Sequence, residues 1–370
     1  MAIEYRVFLN AEAASQEALC QIREVRIDQA IGMATEAELE LDISADDNGV
    51  WNGISADFNQ PFERVRIEVK ASAEGEFVPL IEGLIIGQHF ELTPSANGSR
   101  MTVIVHDDSA LLNREETVEL FEEQSASDIA SQLFSNAGLI PEVDSVEIAA
   151  GGLERAVVQR GTAMQLLRDL ARRHGMFTYV KPGDAVGTSI GVFAQADLSV
   201  GDLPQLRLMG EGQNIAKFEC EFDGLRPTTA TARSINLADK SVLSTESQSA
   251  SLDPLGARST HEIVQVGNTL LARTREESAD LDAATQAVVD FSSWAYSAEA
   301  EVSGDSYQAV LQPHVVVTVA GPGGYLGGDY LVSRVLHTIT NCSYRQQVSL
   351  RRNARADADN GGSALPGGVF

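Results

Sequence analysis

The stretch Glu36-Ala37-Glu38-Leu39-Glu40-Leu41-Asp42-Ile43 decides the fold class, because apolar and acidic residues alternate in it without a break. A period of two places every second side chain on the same face of a strand, so that one face packs on a core and the other faces water. Residues 64–70, 77–92 and 100–106 repeat the pattern. The first part of the chain therefore predicts an antiparallel β unit of about 110 residues.

The next part of the chain has the period of a helix. Ser127 is predicted to cap a helix that Gly138 ends, and a second helix is predicted to begin near Thr162 and to end at Gly175. The second helix finishes on Arg172-Arg173-His174. Cations in a last turn suit the helix dipole, and an anion site is the alternative interpretation of these three residues.

Alternation returns near Lys217, where Phe218, Cys220 and Phe222 share one side of a predicted strand. Residues 241–259 are rich in Ser and are predicted to be a loop or an inserted segment, and a helix is predicted at 275–296. Further strands are predicted at 298–302, 307–311, 315–320, 330–339 and 344–350.

Together these patterns predict a mainly β (α+β) chain with two antiparallel β units. The predicted domains are a first β domain at 1–112, which the family resemblance given below implies is a barrel, an α/β middle domain at 113–215, a second such β domain at 216–353 with an inserted segment at about 225–300, and a flexible C-terminal tail at 354–370.

Two parts of the chain resemble each other. Residues 82–89 followed by 101–105, and residues 330–337 followed by 347–350, both read as a strand that ends in His, a polar turn and a return strand. The similarity predicts that the two β units are copies of one design.

Composition excludes several classes of protein. The chain has 370 residues and a net charge of -26, and such a surface repels phosphate backbones, so stable nucleic-acid binding is not expected. No apolar run approaches the roughly 20 residues that span a bilayer, and the N-terminus alternates like a strand rather than a secretory signal, so we expect a soluble chain assembled in the cytoplasm. The three Cys residues are far apart and predict reduced thiols.

The sequence carries no catalytic pattern. The six His residues are scattered singly, and His261-Glu262 begins like a zinc motif but has Gln265 where the second His should stand. Residues 321–328 are rich in Gly but fail the dinucleotide pattern, and their glycines predict a tight loop with positive φ. No phosphate loop or GxSxG serine elbow is present. Carboxylates are so abundant that the sequence singles out no pair for glycoside hydrolysis. We therefore predict no catalytic residues, no cofactor and no metal.

The segments 311–321 and 327–337, followed by Tyr344 and Leu350-Arg351-Arg352-Asn353, resemble the C-terminal signature of the late control protein D family of phage tail hubs, which is related to the N-terminal part of VgrG proteins of type VI secretion. His106 to Leu112 and Val158 to Gly175 are similar to the middle region of that family. The family often has Pro-Gly where this chain has Pro313-His314. The positions that match the family motifs, with structural roles, are Pro313, Gly321, Gly328, Tyr330, Val332, Val335, His337, Leu350 and Arg351.

The resemblance implies a non-enzymatic baseplate hub of a contractile phage tail or injection system. Its two tube-like barrels would give a homotrimer six similar units, so that it adapts a sixfold inner tube to a threefold spike. The implied partners are the spike protein, the inner tube protein and baseplate wedge proteins, in a virion or injection particle. Acidic residues lining the channel would let DNA or acidic cargo slide past.

Two other functions stay open at this point. One is a tail-tip cell-wall hydrolase, which a zymogram on purified protein would detect. The other is a receptor-binding tail protein, which would pellet with host cells.

Overall fold

The computed structural model describes residues 4–45, 51–52, 58, 60–72, 74–94, 98–146, 156–235, 240–272 and 278–357. The chain is mainly β, with large antiparallel sheets, as the alternation predicts. No helix within these ranges is long and apolar enough to cross a membrane.

The first group of strands surrounds a core that includes Val25, Leu39, Ile67 and Val103. Alternation produces it, since the inward residues of each strand are apolar and buried. Its elements are β1 (Glu4–Leu9), β2 (Glu12–Ala13), α1 (Gln16–Gln21), β3 (Ile22–Ala30), β4 (Glu36–Ala45), β5 (Trp51–Asn52), β6 (Arg64–Lys70), β7 (Val78–Glu91) and β8 (Ser99–Asp107).

A middle group combines helices with short sheets around a second core that contains Phe134, Leu167 and Phe193. Its elements are α2 (Ser109–Leu112), β9 (Glu116–Glu122), α3 (Ala126–Asn136), β10 (Ile140–Val143), β11 (Ala156–Thr162), α4 (Ala163–Arg173), β12 (Phe177–Pro182) and β13 (Ser189–Ala194).

The last group surrounds a third core that contains Val332, Val348 and Leu350. Its framework strands are β14 (Leu206–Arg207), β15 (Ile215–Phe222), β20 (Tyr296–Ser303), β21 (Val316–Ala320), β22 (Gly328–Thr340) and β23 (Tyr344–Arg352). Between β15 and β20 lie β16 (Thr228–Ile235), β17 (Val242–Ser247), β18 (Arg258–Ser259), α5 (Thr260–Ile263), β19 (Gly267–Ala272) and α6 (Ser278–Ser292). A 3₁₀ turn (Gly324–Leu326) and β24 (Ala354–Arg355) complete the group.

Five strands have the same order in the first and last groups. The order is β3-β4-β8-β7-β6 in one and β15-β20-β23-β22-β21 in the other, and all neighbours are antiparallel. Bulges occur at matching places: Ile86 is the extra residue between β7 and β8, and Ser333 is the extra residue between β22 and β23. Bulges are reproduced when a design is reproduced, so the chain contains two copies of one five-stranded unit.

A strained turn is also repeated. Phe62, before β6, and His314, before β21, have positive φ values of 65° and 69°, which non-glycine residues seldom adopt. In both places a Gln-Pro pair comes directly before, and the residue donates its backbone N–H to the strand beside it, Phe62 to Ile85 and His314 to Val332. His314 also stacks on Tyr179 of β12, with ring centroids 3.9 Å apart, which fixes this turn to the middle group.

The two units form one continuous sheet because β22 pairs with β3. The first half of β22 pairs on that edge with β21, and its second half, from Arg334 to Thr340, pairs there with β3. The domain boundaries at 112 and 215 stay a prediction that limited proteolysis would test. The structure places β14 with the last group, since it pairs with β21.

Helix ends were predictable to within a few residues. The second helix begins next to Thr162 as predicted; Thr162 is its cap, and Gln165 completes a capping box. Ser127 is not the cap of α3. Ser125 takes that role, because its side chain accepts from the Asp128 backbone while Asp128 accepts from the backbone N–H of Ser125.

Three other expectations were wrong. Residues 307–311 form no strand, because the Gln346 side chain, rather than a partner strand, meets the backbone groups of Leu311 and Ala309. Of the two interpretations of 241–259, the loop was wrong, because this stretch contains β17, which pairs with β16 although its residues are mostly polar. The helix predicted at 275–296 ends by Ser292, and β20 begins at Tyr296.

The predicted tail begins later than residue 354. Ala354 is fully buried, and β24 pairs with β18. Residues 358–370 of the predicted tail lie outside the described residues.

Candidate functional site

Each unit has a strand with an edge that no described backbone covers. In β7, residues 87–91 pair with β8 on one edge, and their other edge has no backbone partner among the described residues. Likewise, β15 pairs with β20 and with no other strand of the described residues. Open strand edges are ready to pair with another chain unless a protein blocks them.

Each open strand has a counterpart in the other unit of the same chain: β22 corresponds to β7, and β3 corresponds to β15. The edges of β22 and β3 that match the open edges are paired with each other. Their junction is buried on one face, where Val25 and Ile339 are 1% exposed and Ile27 and His337 are fully buried. The His337 ring contacts Tyr344 Oη at 2.9 Å and Gln29 Oε1 at 3.1 Å, and burial lowers its pKa to about 3, so it is neutral.

The residues at the open edges correspond one by one to residues of the paired edges. Phe90 stands where the other copy has His337, and Leu92 stands where it has Ile339. Phe222 and Cys220 take the places of Gln29 and Ile27. Phe90 and Phe222 are each 39% exposed and Leu92 is 50% exposed. The open edges are therefore apolar where the paired edges are buried.

The intrachain junction also defines a register for the open edges. If β7 of one chain pairs with β15 of another as β22 pairs with β3, Gln88 lies opposite Phe222, Phe90 opposite Cys220, and Leu92 opposite Phe218. The second and third are apolar pairs, and the first sets the amide of Gln88 against an aromatic ring; cross-strand pairs of this kind stabilise an antiparallel ladder. On the other face, His89 lies opposite Glu221.

The family-motif residues lie together in the second unit. Tyr330, Val332, Val335 and Leu350 are part of its core, and His337 is buried in the intrachain junction. Pro313 precedes the strained turn at His314. Gly321 has a φ of 99°, and a Cβ there would lie 2.9 Å from the backbone nitrogen of Met209. Gly328, with a φ of 122°, starts β22, and Arg351 faces a cleft beside α4.

Sequence reasoning missed several buried polar residues. Arg352 is fully buried, donates to Gly327 O at 3.0 Å and lies over the Tyr330 ring at 4.5 Å. Arg66 donates to Glu68 Oε1 at 2.7 Å and to Gly183 O at 2.8 Å, which ties β6 to the loop between β12 and β13. Their only sequence signal is an Arg within an otherwise regular strand.

No cluster of His, Cys, Asp or Glu able to hold a metal is found among the described residues. The histidines are distributed over separate parts of the fold. His106 contacts Glu36, and His261 contacts Thr228 O. Burial, and then the charge of Lys181, lower the pKa of His314 to about 4.

Comparison with known proteins finds one family model, described as the Alg8 N-terminal domain, which matches residues 2–341. No curated protein matches the chain.

Solved structures share the fold. The 43 kDa tail protein of prophage MuSo2 from Shewanella oneidensis has a TM-score of 0.67 at 15% identity, with 95% of this chain and 99% of that chain covered. The tail protein from Neisseria meningitidis MC58 has a TM-score of 0.65 at 14% identity, with 95% and 97% covered. The E. coli c3393 protein, a type VI secretion component described as similar to T4 tail proteins gp27 and gp5, has a TM-score of 0.57 at 10% identity, with 100% and 81% covered. The fold is that of phage tail and VgrG-related proteins.

Proposed function

The chain belongs to the Alg8 N-terminal domain family, and from its fold and its open strand edges we propose that it is a structural hub of a contractile phage tail or phage-like injection system. In this role it is a homotrimer that joins a sixfold inner tube to a threefold spike. The observation that carries the proposal is the duplicated unit with one paired junction and one matching pair of open edges.

The duplication of the unit supports a ring, because junctions within chains and junctions between chains would alternate around it. Within a chain, β22 pairs with β3, and between chains β7 pairs with β15 in the same register. Contacts of this head-to-tail kind close into a ring when the rotation between units allows it. Three chains supply six units, which repeat the symmetry of a sixfold tube while the chains themselves keep threefold symmetry.

The apolar character of the edges favours a permanent assembly over a transient one. Monomeric proteins protect open strands with charge, Pro or short length. Charged residues lie on one face of β15, but its other face presents Phe222, and the end of β7 presents Phe90 and the following Leu92, each at least 39% exposed. Pairing of the edges removes this surface from water, and at about 25 cal/mol per Å² such burial stabilises association.

In this proposal the remaining partners contact the ring from its two ends. The inner tube protein stacks on the sixfold face, the spike protein contacts the threefold face, and baseplate wedge proteins lie outside. Assembly takes place in the cytoplasm, and the protein ends in a virion or injection particle. The fold of the MuSo2 and N. meningitidis tail proteins supports a structural rather than a catalytic role.

The test is the assembly state of the purified full chain. Light scattering after size exclusion should give a mass close to three times the 39.6 kDa of one chain. Negative-stain class averages should show a ring with sixfold modulation. A monomer at concentrations of about 10 µM, at which obligate oligomers with a Kd of about 1 nM are assembled, or a ring with another number of units, would refute the proposal.

A further inference from the structure

A cleft of about 190 Å³ lies where α4 and α6 meet the second unit. Its floor is apolar and aromatic, with Met176, Phe291, Trp294 and Leu331 among its residues, and Trp294 is almost completely buried. Its rim carries Arg168, Arg172, Arg226 and Arg351. A second depression on the other side of α4 shares Arg168 and Arg172 and adds Arg160, with Asp169 as its acidic residue.

The guanidinium groups of these arginines have no protein partner within the described ranges. None of the five forms an ion pair or a side-chain hydrogen bond there, although the chain carries 53 Asp and Glu residues against 27 Lys and Arg. The Nε atom of Arg168 is buried and has no hydrogen-bond partner. Arg226 and Arg351 are close enough that, after burial, the charge of Arg226 lowers the pKa of Arg351.

An acidic protein would ordinarily place its own carboxylates beside such a cluster, because like charges held together repel and a buried donor without a partner, such as Arg168 Nε, is destabilising. The cost is offset when a ligand brings the carboxylates. Guanidinium groups bind carboxylates through two parallel hydrogen bonds, which gives affinity and orientation.

We propose that this cleft binds an acidic peptide segment of a partner protein that carries one aromatic or large aliphatic side chain. The side chain fills the cleft, and neighbouring Asp or Glu residues pair with the arginines of the rim. The volume supports one ring, since a cavity of about 150 Å³ accepts benzene. A simple anion or a nucleic-acid backbone would use the arginines but leave the apolar floor exposed.

The proposal is independent of the ring, because the cleft is formed within a single chain. It is also consistent with the anion site that the sequence left open at Arg172 in the last turn of α4. An arginine that interacts with a helix end can still present its guanidinium to a ligand.

Trp294 gives a direct readout, because Trp51 is the only other tryptophan and can be replaced by Phe. In the full-length Trp51→Phe protein, the peptide acetyl-Asp-Glu-Phe-Asp-Glu-amide should produce a saturable change of Trp294 fluorescence. The same peptide with Ser in place of Phe should bind at least tenfold more weakly, and so should a peptide with Lys in place of the acidic residues.

The double variant Arg168→Gln/Arg172→Gln should weaken binding of the Phe peptide at least tenfold. The matched control is Arg345→Gln, an exposed arginine of β23 far from this rim, which should leave the affinity unchanged. Circular dichroism checks that all variants are folded. Unchanged affinity in the double variant, equal binding of the Ser peptide, tighter binding of oligo-deoxythymidine, or no saturable change would each overturn the proposal.

Discussion

Replacing Phe90 with lysine is expected to convert the assembled protein to monomers. In the proposed register Phe90 lies opposite Cys220 of the next chain. The equivalent pair in the junction within a chain is His337 and Ile27, and both are fully buried. A lysine there places an unpaired charge in that junction, at a cost of about 3–5 kcal/mol. This weakens each junction more than about 100-fold. Phe222→Lys on the facing edge should have the same effect.

The matched control is Val118→Lys. Val118 is on the β9 strand of the middle group and is 83% exposed, so it adds the same charge to an apolar surface position away from both edges. Light scattering should show monomers for the two edge variants and the native mass for the control, with unchanged circular dichroism for all three. A native mass in Phe90→Lys would mean that β7 is not part of an interface.

The second large effect is expected from Arg66→Ala, which should lower the free energy of unfolding by about 3–5 kcal/mol. Arg66 is 2% exposed and lies 3.4 Å from the Glu82 carboxylate, whose side chain is completely buried. Burial raises the pKa of Glu82, and Gly187, Arg64 and Arg66 act against this rise. Removal of Arg66 leaves a buried carboxylate with less compensation and releases the loop at Gly183.

Arg26→Ala is the control for this variant. The Arg26 to Glu38 pair has a similar 3.5 Å separation, but both side chains are at least 40% exposed, and such pairs contribute about 0–1 kcal/mol. Urea unfolding should be measured in the Phe90→Lys background, so that oligomer formation does not add to the stability of the chain. Equal losses from the two variants would show that the buried cluster is not stabilising.

Local patterns in the sequence were sufficient to predict many elements. The strand at Arg64–Lys70 begins and ends where alternation places it, and the second helix begins directly after Thr162, near the predicted start. Phe218, Cys220 and Phe222 share one face, as predicted, because side-chain direction in a strand depends only on the period of two. Ser127 was mistaken for a cap because two serines separated by one residue carry the same local signal.

Pairing between distant segments could not be predicted in this way. The predicted alignment of the two hairpins placed His89 with His337, but the strand pairings place Phe90 with His337 and Glu82 with Asp329. A shift of one residue moves every side chain to the opposite face. The correct register is what identifies the apolar edge, and the repeated Gln-Pro pair at 60–61 and 312–313 was the signal that could have fixed it.

The motifs resemble late control protein D, whereas the family model that matches is the Alg8 N-terminal domain. The structural relatives are phage tail proteins and VgrG-related proteins, which is the fold that the resemblance implied. The hub role itself depends on the junction between chains.

That junction is tested most directly by a disulfide between Phe90→Cys and the natural Cys220, in a protein with Cys20 and Cys342 replaced by Ser. Directly opposite residues of an antiparallel pair have Cα atoms about 4.5–5.5 Å apart, within the range that a disulfide spans. Gln88→Cys, one pair further along the same face, is the control, since its diagonal distance to Cys220 of about 7–8 Å is too long. We predict that oxidation links Phe90→Cys chains into covalent trimers that reduction separates, and that Gln88→Cys stays unlinked. Absence of linked chains in Phe90→Cys, or equal linking in both, would contradict the proposed ring.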